Sequence, residues 1–438
     1  MLSIFGKYDE DAWATVYSLA MSDISNLNLS LEDDGFLPDD VTSPYEMLLG
    51  LGNDVPRNPL NINNLSLPLS YEVEFLDGVP CILDKSRVVA RIELLKGKEE
   101  RIVKSITYVG YNSEVLWVDN YNKYGFLFKK DYYLTGVGLV SSDYYNSNGE
   151  TVVSVNYIAN SYVYTENSSR QNYSRVFYRG EDFLRFFLEK YNLVNQEIIS
   201  DGGGFILEYL KKYKTKSYII YSKPIAFDLP DYLQGLKDFN SQLILTNKSD
   251  YEKLVVSNQK EGILYCGLQL PIKSDLGLGS EVLITTGTDD IRNLEAIVSS
   301  CRGTNFHVAA STLMSDKLLS LDKYPNLTLY PAIGKEKLIS LFERCGVFLD
   351  IANSPTVFSA NKLAVSHSCL RMGYAGISSG KYITGDLLFP SNSSGIVNIL
   401  GLVKNDQEKL RILYDSQNVL LGLFDGSDFR DVIALQTN

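Results

Sequence analysis

The sequence is long, yet it holds few of the residues on which enzymes usually rely. Its 438 residues include two histidines and five cysteines, and no cysteines stand in a CxxC pair. An odd number of cysteines, scattered along the chain, predicts buried thiols in a reducing compartment and no zinc site. No apolar run reaches the ~20 residues of a membrane-spanning helix, and the chain start lacks the pattern of a signal peptide. These absences are typical of a cytoplasmic protein.

Net positive charge is also missing. The formal net charge is −12, with 45% apolar and 21% charged residues, a composition typical of a globular protein. Binding to nucleic acid depends on a basic footprint that neutralises phosphates, so we expect no nucleic-acid partner. A chain of this length exceeds one ordinary core and predicts two or three domains.

Two parts of the chain alternate strand-like and helix-like segments. EVLITT (Glu281–Thr286), NFHVAA and CGVFLDI are apolar runs separated by amphipathic segments, which predicts βαβ units around a parallel sheet. The stretch between the two parts reads as strands and carries 13 of the 30 tyrosines between residues 101 and 180. We therefore predict an α/β fold, a GT-B-like pair of Rossmann-type domains with a β-sheet insertion in the first. The predicted boundaries are 1–60 with 165–272 for the first domain, 61–164 for the insertion, and 273–438 for the second domain with C-terminal helices.

Several local signals predict where elements begin and end. Ser43 and Glu46 flank a proline in the pattern of a capping box, and Ser249 with Glu252 repeats that pattern. EDFLRFFLEKY carries an apolar stripe at helical spacing, and Asn148-Gly149 predicts a hairpin turn. We also expect a helix to start directly after Gly287, and a second helix to run from residue 359 through His367 to Gly373.

The tyrosine-rich insertion has two interpretations. Tyrosine suits a half-wet strand surface, so the simpler hypothesis is a β-meander with one solvated face. The alternative is a sheet whose aromatic face docks another protein.

The candidate site lies where the strands of the second α/β domain end, because ligands bind there in parallel sheets. No glutamate occurs between Glu343 and Glu408, and the turn after the first strand carries Asp289 and Asp290. Carboxylates repel a pyrophosphate, so donor binding at this turn is not expected. The strand residue His307 is interpreted as a satisfied core imidazole, and Cys369 has no obvious base, so nucleophilic catalysis by its thiolate is not expected.

The chain resembles the GtfB family, the stabilising subunit of the accessory-Sec glycosyltransferase pair of Gram-positive bacteria. The resemblance covers the whole chain and rests on five stretches: GFLPDDVTSPYEMLLG, FKKDYYLTGVGLV, SDYYNSNGETV, LITTGTDDIRNLEAIV and LYPAIGKEKLISLFERCGVFLDI. Active relatives carry two glutamates after the strand similar to VFLDI, where this chain has ANSPTVFSANKLAVSHS. They also carry Gly-Arg and a lysine after the strand that here ends at Gly287-Thr288.

The resemblance implies a non-catalytic subunit that stabilises a partner O-GlcNAc transferase and binds a serine-rich repeat adhesin. It implies a hetero-oligomer, such as a heterotetramer, with no catalytic residue, no cofactor and no metal. It also implies peripheral association with the membrane through the accessory Sec translocase. Two alternatives stay open: an active retaining GT-B glycosyltransferase with atypical donor contacts, and a glycopeptide-binding module.

Acceptor-contacting residues are predicted from the strand ends of both α/β parts, on either side of an interdomain cleft. The predicted residues are Gly6, Lys7, Thr286, Gly287, Thr288, Asn353, Ser354, Thr356 and His367.

Overall fold

The computed structural model describes residues 1–24, 26–51, 58–76, 78–95, 101–167, 172–222, 236, 240–256, 262–271, 279, 281–353, 357–377, 382–404, 406–423 and 428–434. The helix predicted at residues 230–239, apart from residue 236, and most of the linker predicted at 273–280 lie outside these residues.

The described residues form α-helices and β-strands in an order that alternates at both ends of the chain. The helices are α1 (Glu10–Met21), α2 (Pro44–Leu49), α3 (Gly180–Lys190), α4 (Ile206–Tyr213), α5 (Lys248–Val256), α6 (Leu294–Ser300), α7 (Asp316–Leu319), α8 (Lys335–Phe342), α9 (Ala360–Ser366), α10 (Ser394–Val403), α11 (Gln407–Leu421) and α12 (Phe429–Ala434). The strands are β1 (Leu2–Phe5), β2 (Leu27–Ser30), β3 (Tyr71–Leu76), β4 (Val79–Asp84), β5 (Arg87–Leu94), β6 (Val103–Val109), β7 (Val115–Tyr121), β8 (Leu127–Leu134), β9 (Gly138–Tyr145), β10 (Thr151–Asn156), β11 (Ser161–Asn167), β12 (Asn172–Phe177), β13 (Ile198–Ser200), β14 (Ser217–Tyr221), β15 (Ser241–Leu245), β16 (Ile263–Tyr265), β17 (Glu281–Thr286), β18 (Phe306–Ala310), β19 (Leu327–Tyr330), β20 (Cys345–Asp350), β21 (Leu370–Tyr374) and β22 (Leu388–Phe389).

The strands form three sheets. The first has the order β16-β15-β14-β13-β1-β2, and the third has the order β19-β18-β17-β20-β21-β22. The third sheet is parallel throughout, and its strand order reverses at β17, as in doubly wound α/β folds. The second sheet joins β3 to β12 in sequential order as an antiparallel meander of ten strands. This architecture confirms the predicted α/β class with a large β-sheet insertion.

The chain forms two compact units. Unit 1 comprises Met1–Tyr8, Asn26–Tyr218 and Asp238–Ser241, and unit 2 comprises Asp9–Ser25, Ile219–Lys237 and Gln242–Asn438. The core of unit 2 covers both faces of the third sheet. Val282 and Ile284 belong to one apolar cluster, and Leu283 between them belongs to another. Both faces of β17 are buried, which explains its continuous apolar sequence.

Local physics accounts for several elements that the sequence predicts. Helix α3 buries Phe183, Leu184, Phe187 and Leu188, which is the stripe expected from its periodicity. Ser43 caps α2 by accepting a hydrogen bond from the backbone N–H of Glu46, at 2.8 Å. The Glu46 carboxylate accepts from Thr42 and Tyr124.

Other local predictions are wrong for identifiable reasons. Helix α6 begins at Leu294 rather than after Gly287, because residues 288–293 form a loop anchored to Ile351 and Asn353. Helix α5 begins at Lys248, and Asn247, not Ser249, accepts the capping hydrogen bond from the N–H of Asp250.

The helix predicted to continue to Gly373 ends at Ser366. The segment LRMGY forms the buried strand β21, whose polar member Arg371 obscures its strand pattern. Within the part of the chain that the structure describes, no helix is both long and apolar enough to cross a membrane.

Candidate functional site

A cavity of about 910 Å³ opens in unit 1 where β1 and β13 end. Its floor and rim come from the loops after these strands, from residues 31–38, and from strands of the ten-stranded sheet. The carboxyl ends of parallel strands are the usual place for ligands in α/β folds. The predicted residues Gly6 and Lys7 both line this cavity.

Asp201 fixes the rim of the cavity. Its carboxylate accepts hydrogen bonds from the backbone N–H of Gly6, at 3.0 and 3.2 Å, and from that of Gly203, at 2.8 Å. The two loops touch closely, since a Cβ atom on Gly6 would lie 3.0 Å from the backbone of Gly203. Glycine at position 6 is therefore required by the approach of two backbones, not by an unusual φ angle.

Carboxylates and lysines alternate around the cavity. The half-buried carboxylate of Asp33 accepts from the Ser43 hydroxyl at 2.5 Å and from the N–H of Gly35 at 2.7 Å. Burial raises the pKa of Asp33, although both hydrogen bonds oppose that shift. Lys104 pairs with Asp34 at 2.9 Å, and Lys7 lies 3.7 Å from Glu32.

Tyrosine rings form the apolar part of the cavity wall. Tyr45 and Tyr144 stack with their centroids 4.0 Å apart and an angle of 3° between planes. Tyr162 stacks on Phe183 at 5.0 Å. Burial raises the pKa of Tyr162 and that of Tyr8 to about 12, so both phenols are neutral donors at physiological pH. Among the described residues that line the cavity there is no histidine or cysteine.

A second group of predicted residues lies together at the carboxyl edge of the third sheet in unit 2. The hydroxyl of Thr286 donates to the carbonyl of Thr288 at 2.5 Å and accepts from its N–H at 3.0 Å. Asn353 donates to the carbonyl of Asp290 at 2.9 Å and to its carboxylate at 3.0 Å. The polar groups of this turn thus bond to each other.

The charge at this turn is unfavourable for a diphosphate. Asp289 and Asp290 precede α6 in the loop, and no lysine occurs between residues 281 and 300. Arg292 points a guanidinium N–H at the Ser391 hydroxyl, 3.1 Å away.

Of the remaining predicted residues, the structure describes His367. His367 caps the far end of α9, about 10 Å along a seven-residue helix from its start. It is buried against Phe342, and its Nδ1 lies 2.9 Å from the carbonyl oxygen of Leu363. Ser354 and Thr356 lie outside the described residues.

Most of the cavity wall is not predicted from the sequence. Asp33, Tyr45, Tyr144 and Asp201 are not among the predicted site residues, because the cavity joins segments as far as 195 residues apart. One signal was available, since Asp201 directly precedes three glycines. Aspartate before glycines often fixes a turn by accepting from backbone N–H groups.

Comparison with known proteins gives consistent matches along the chain. Residues 2–47 match the GtfB N-terminal domain, residues 71–174 the GtfB middle domain, and residues 282–417 the GftB/GlyA-F C-terminal domain. The chain is 26% identical over 423 residues to a Streptococcus pneumoniae protein named UDP-N-acetylglucosamine--peptide N-acetylglucosaminyltransferase stabilizing protein GtfB. That match covers 94% of each chain.

Solved structures show the same fold. The chain superimposes on a chain of the GtfA/B complex bound to UDP and GlcNAc with a TM-score of 0.81 and 24% identity, covering 100% of this chain and 99% of that one. It also matches TarM, with a TM-score of 0.54 and 11% identity over 100% and 98% of the two chains. The pneumococcal relative is named for stabilising the transferase rather than for catalysis, which agrees with the prediction that this chain is not an enzyme. The matches along the sequence and the shared fold lead to one conclusion: the chain belongs to the GtfB family.

Proposed function

We propose that this chain is a non-catalytic subunit that stabilises a partner protein O-GlcNAc transferase and binds the Ser/Thr-rich acceptor polypeptide. The observation that carries this proposal is the contrast between two strand-end sites. Unit 1 has an open polar and aromatic cavity. In unit 2, the polar groups of the turn after β17 form hydrogen bonds with each other, and the turn carries two carboxylates.

The cavity in unit 1 suits a neutral, hydroxyl-rich ligand. Its lining includes four carboxylates and three lysines, so it has no excess of positive charge for a diphosphate. Carboxylates and lysine ammonium groups accept and donate to hydroxyls and peptide groups. Tyrosines contact a chain at low entropic cost because they have few rotatable bonds. A volume of about 910 Å³ lies within the usual range for ligand sites.

The turn after β17 lacks the groups that stabilise a departing diphosphate. Preorganised cations and donors at that position are usually the largest catalytic contribution in group transfer. Here Asp290 is hydrogen-bonded to Asn353, and Arg292 contacts Ser391. A subunit with this turn is suited to holding acceptor while the partner supplies the donor site.

Reconstitution tests the catalytic part of the proposal. The chain is purified alone and with its partner glycosyltransferase. Each preparation is supplied with labelled UDP-N-acetylglucosamine and acceptor, and transfer of the label is measured. We expect no transfer by this chain alone and transfer by the complex. Turnover by the isolated chain, or calorimetric binding of the donor to it, would support an active transferase and reject the proposal. Tighter binding to GlcNAc-bearing than to bare acceptor would favour the glycopeptide-binding module.

Two adjacent lysines on β8 test the acceptor site. Lys129 lines the cavity and pairs with Asp131 at 3.0 Å, whereas Lys130 is absent from the lining and pairs with Asp119 at 3.2 Å. The two side chains are similarly shielded, at 17% and 24% exposure. Each Lys→Met substitution therefore removes one ammonium group and one ion pair of the same kind.

We expect Lys129→Met to weaken acceptor binding about tenfold, as for a lost charged hydrogen bond. Lys130→Met should leave the affinity unchanged. Fluorescence anisotropy with a labelled Ser/Thr-rich peptide measures both. Equal affinities for the two variants would contradict an acceptor site in this cavity.

A further inference from the structure

Three potential metal ligands meet at the edge of the third sheet opposite the strand ends described above. They are Glu281, His307 and Cys345, and their ligand atoms all lie within 4.8 Å of one another. All three belong to unit 2. Neither the family matches nor the proposed acceptor role assigns anything to this edge.

The parallel register brings these residues together. Glu281 opens β17 and is paired with Cys345, the first residue of β20. His307 lies on β18, paired with Leu283, which is two residues after Glu281 and so on the same face of β17. The cluster is thus held by three adjacent backbone strands. A rigid scaffold of this kind places ligands more accurately than loops do.

Both ring nitrogens of His307 have a partner within hydrogen-bond distance. Its Nε2 faces Glu281 Oε2 at 3.0 Å. Its Nδ1 lies 3.1 Å from the Tyr330 hydroxyl. That hydroxyl can hold the tautomer that leaves Nε2 unprotonated, as the outer partners of metal-bound histidines do.

The other two ligands are a buried thiol and a carboxylate that already has a partner. Cys345 is a free, buried cysteine, and a metal binds it as the thiolate. Arg344 lies 3.0 Å from Glu281 Oε2, and its side chain is 57% exposed.

We propose that Glu281, His307 and Cys345 form a zinc site. A thiolate, an imidazole and a carboxylate are the ligand types that Zn²⁺ takes, and three protein ligands leave its fourth position to water. Binding releases the Cys345 thiol proton to solvent and moves the imidazole proton to Nδ1. The ligand atoms close to about 2.0–2.3 Å from the metal, and the ion ties β17, β18 and β20 together at their amino ends.

Cobalt substitution of the full-length, tag-free chain tests the site. We expect one equivalent of Co²⁺ to produce thiolate-to-cobalt charge-transfer absorption, which Zn²⁺ then abolishes by displacement. Cys345→Ser should remove this absorption and weaken Zn²⁺ binding at least about tenfold, and Tyr330→Phe should weaken it about tenfold. The half-buried Cys301 is the thiol most open to adventitious binding, so Cys301→Ser is the matched control and should retain the signal.

Arg344→Ala gives a test that does not disturb the core. Arg344 competes with a cation for Glu281, so its removal should tighten Zn²⁺ binding by up to about fivefold. A purely structural Glu281–Arg344 pair would instead show lower thermal stability and no metal response. Zinc at 100 times its dissociation constant should raise the Tm of the wild-type chain by about 5 °C. Absence of the charge-transfer band in the wild type, or its survival in Cys345→Ser, would overturn the proposal.

Discussion

Replacing the buried Arg371 by methionine should destabilise unit 2 more than any surface change. Arg371 on β21 has no exposed surface. Its guanidinium donates to the carbonyls of Tyr382 and Cys369, both at 3.0 Å, and to the side-chain oxygen of Asn418 at 2.7 Å. Among the described residues, no carboxylate forms an ion pair with it. Burial lowers its pKa to about 10, so it is charged at neutral pH.

The magnitude follows from the acceptors that methionine would leave behind. Each buried acceptor without a donor costs about 1–3 kcal/mol, and Arg371 serves three. Methionine also removes the cost of burying a charge, which offsets part of this loss. We therefore expect Arg371→Met to lower the free energy of unfolding by about 3 kcal/mol or more, in line with other broken buried charge networks.

The two tryptophans allow this loss to be measured in the correct unit. Trp13 lies in unit 2 and Trp117 in unit 1. In a Trp117→Phe background, urea unfolding followed by fluorescence reports unit 2, which matters because the units need not unfold together. Arg411→Met on α11 is the matched control, since Arg411 is 77% exposed and lies 3.8 Å from Asp415. We expect the control to change stability by about 0.5 kcal/mol or less.

A loss below about 1 kcal/mol for Arg371→Met would refute the reasoning. It would mean that water or rearranged side chains satisfy the three acceptors. A loss equal to that of Arg411→Met would carry the same meaning.

Three further predictions concern unit 1. Ser43→Ala should lower the free energy of unfolding by about 1–2 kcal/mol, because it removes the cap of α2. Urea unfolding measures this loss, and an unchanged midpoint would contradict the capping role. Gly6→Ala should lower the free energy of unfolding by about 1–3 kcal/mol, because its Cβ atom clashes with the Gly203 backbone. The control Gly401→Ala has open space in helix α10 and should be neutral or stabilising. Equal shifts in Tm for the two variants would show that the loops of Gly6 and Gly203 can separate. Asp33→Asn should flatten the dependence of stability on pH in mild acid. The folded-state pKa of Asp33 is raised, so its contribution is present below about pH 4 and is lost as the pH rises through that folded value; an unchanged slope would show that Asp33 is not protonated in the folded state.

Local patterns predicted those elements whose causes are local. The stripe of α3 and the cap at Ser43 depend on residues a few positions apart, and both are present. The turn at Asn148-Gly149 is also present, with Gly149 at a φ of 78°. The sequence predicts a helix where the structure has strand β21, because Arg371 interrupts an otherwise apolar run. Only the distant acceptors at Tyr382 and Asn418 explain an arginine there.

The candidate sites depended on distant residues and were predicted only in part. Gly6 and Lys7 were found because strand ends are a general place for ligands. Asp201 follows them by nearly 200 residues, and only the parallel pairing of β1 with β13 brings it near. Strand pairing also brings together Glu281, His307 and Cys345, whose spacing in the sequence matches no metal motif. The predicted domain boundaries and the two-sided acceptor cleft stay predictions.

The carboxylate of Asp201 orders the rim of the cavity before a ligand binds. It accepts hydrogen bonds from the backbone N–H groups of Gly6 and Gly203 and so fixes both loops during folding. The entropic cost of ordering these loops is then met during folding and not during binding, so the rim is preorganised for a ligand. Association with such a rim is expected to follow a lock-and-key course rather than one of induced fit.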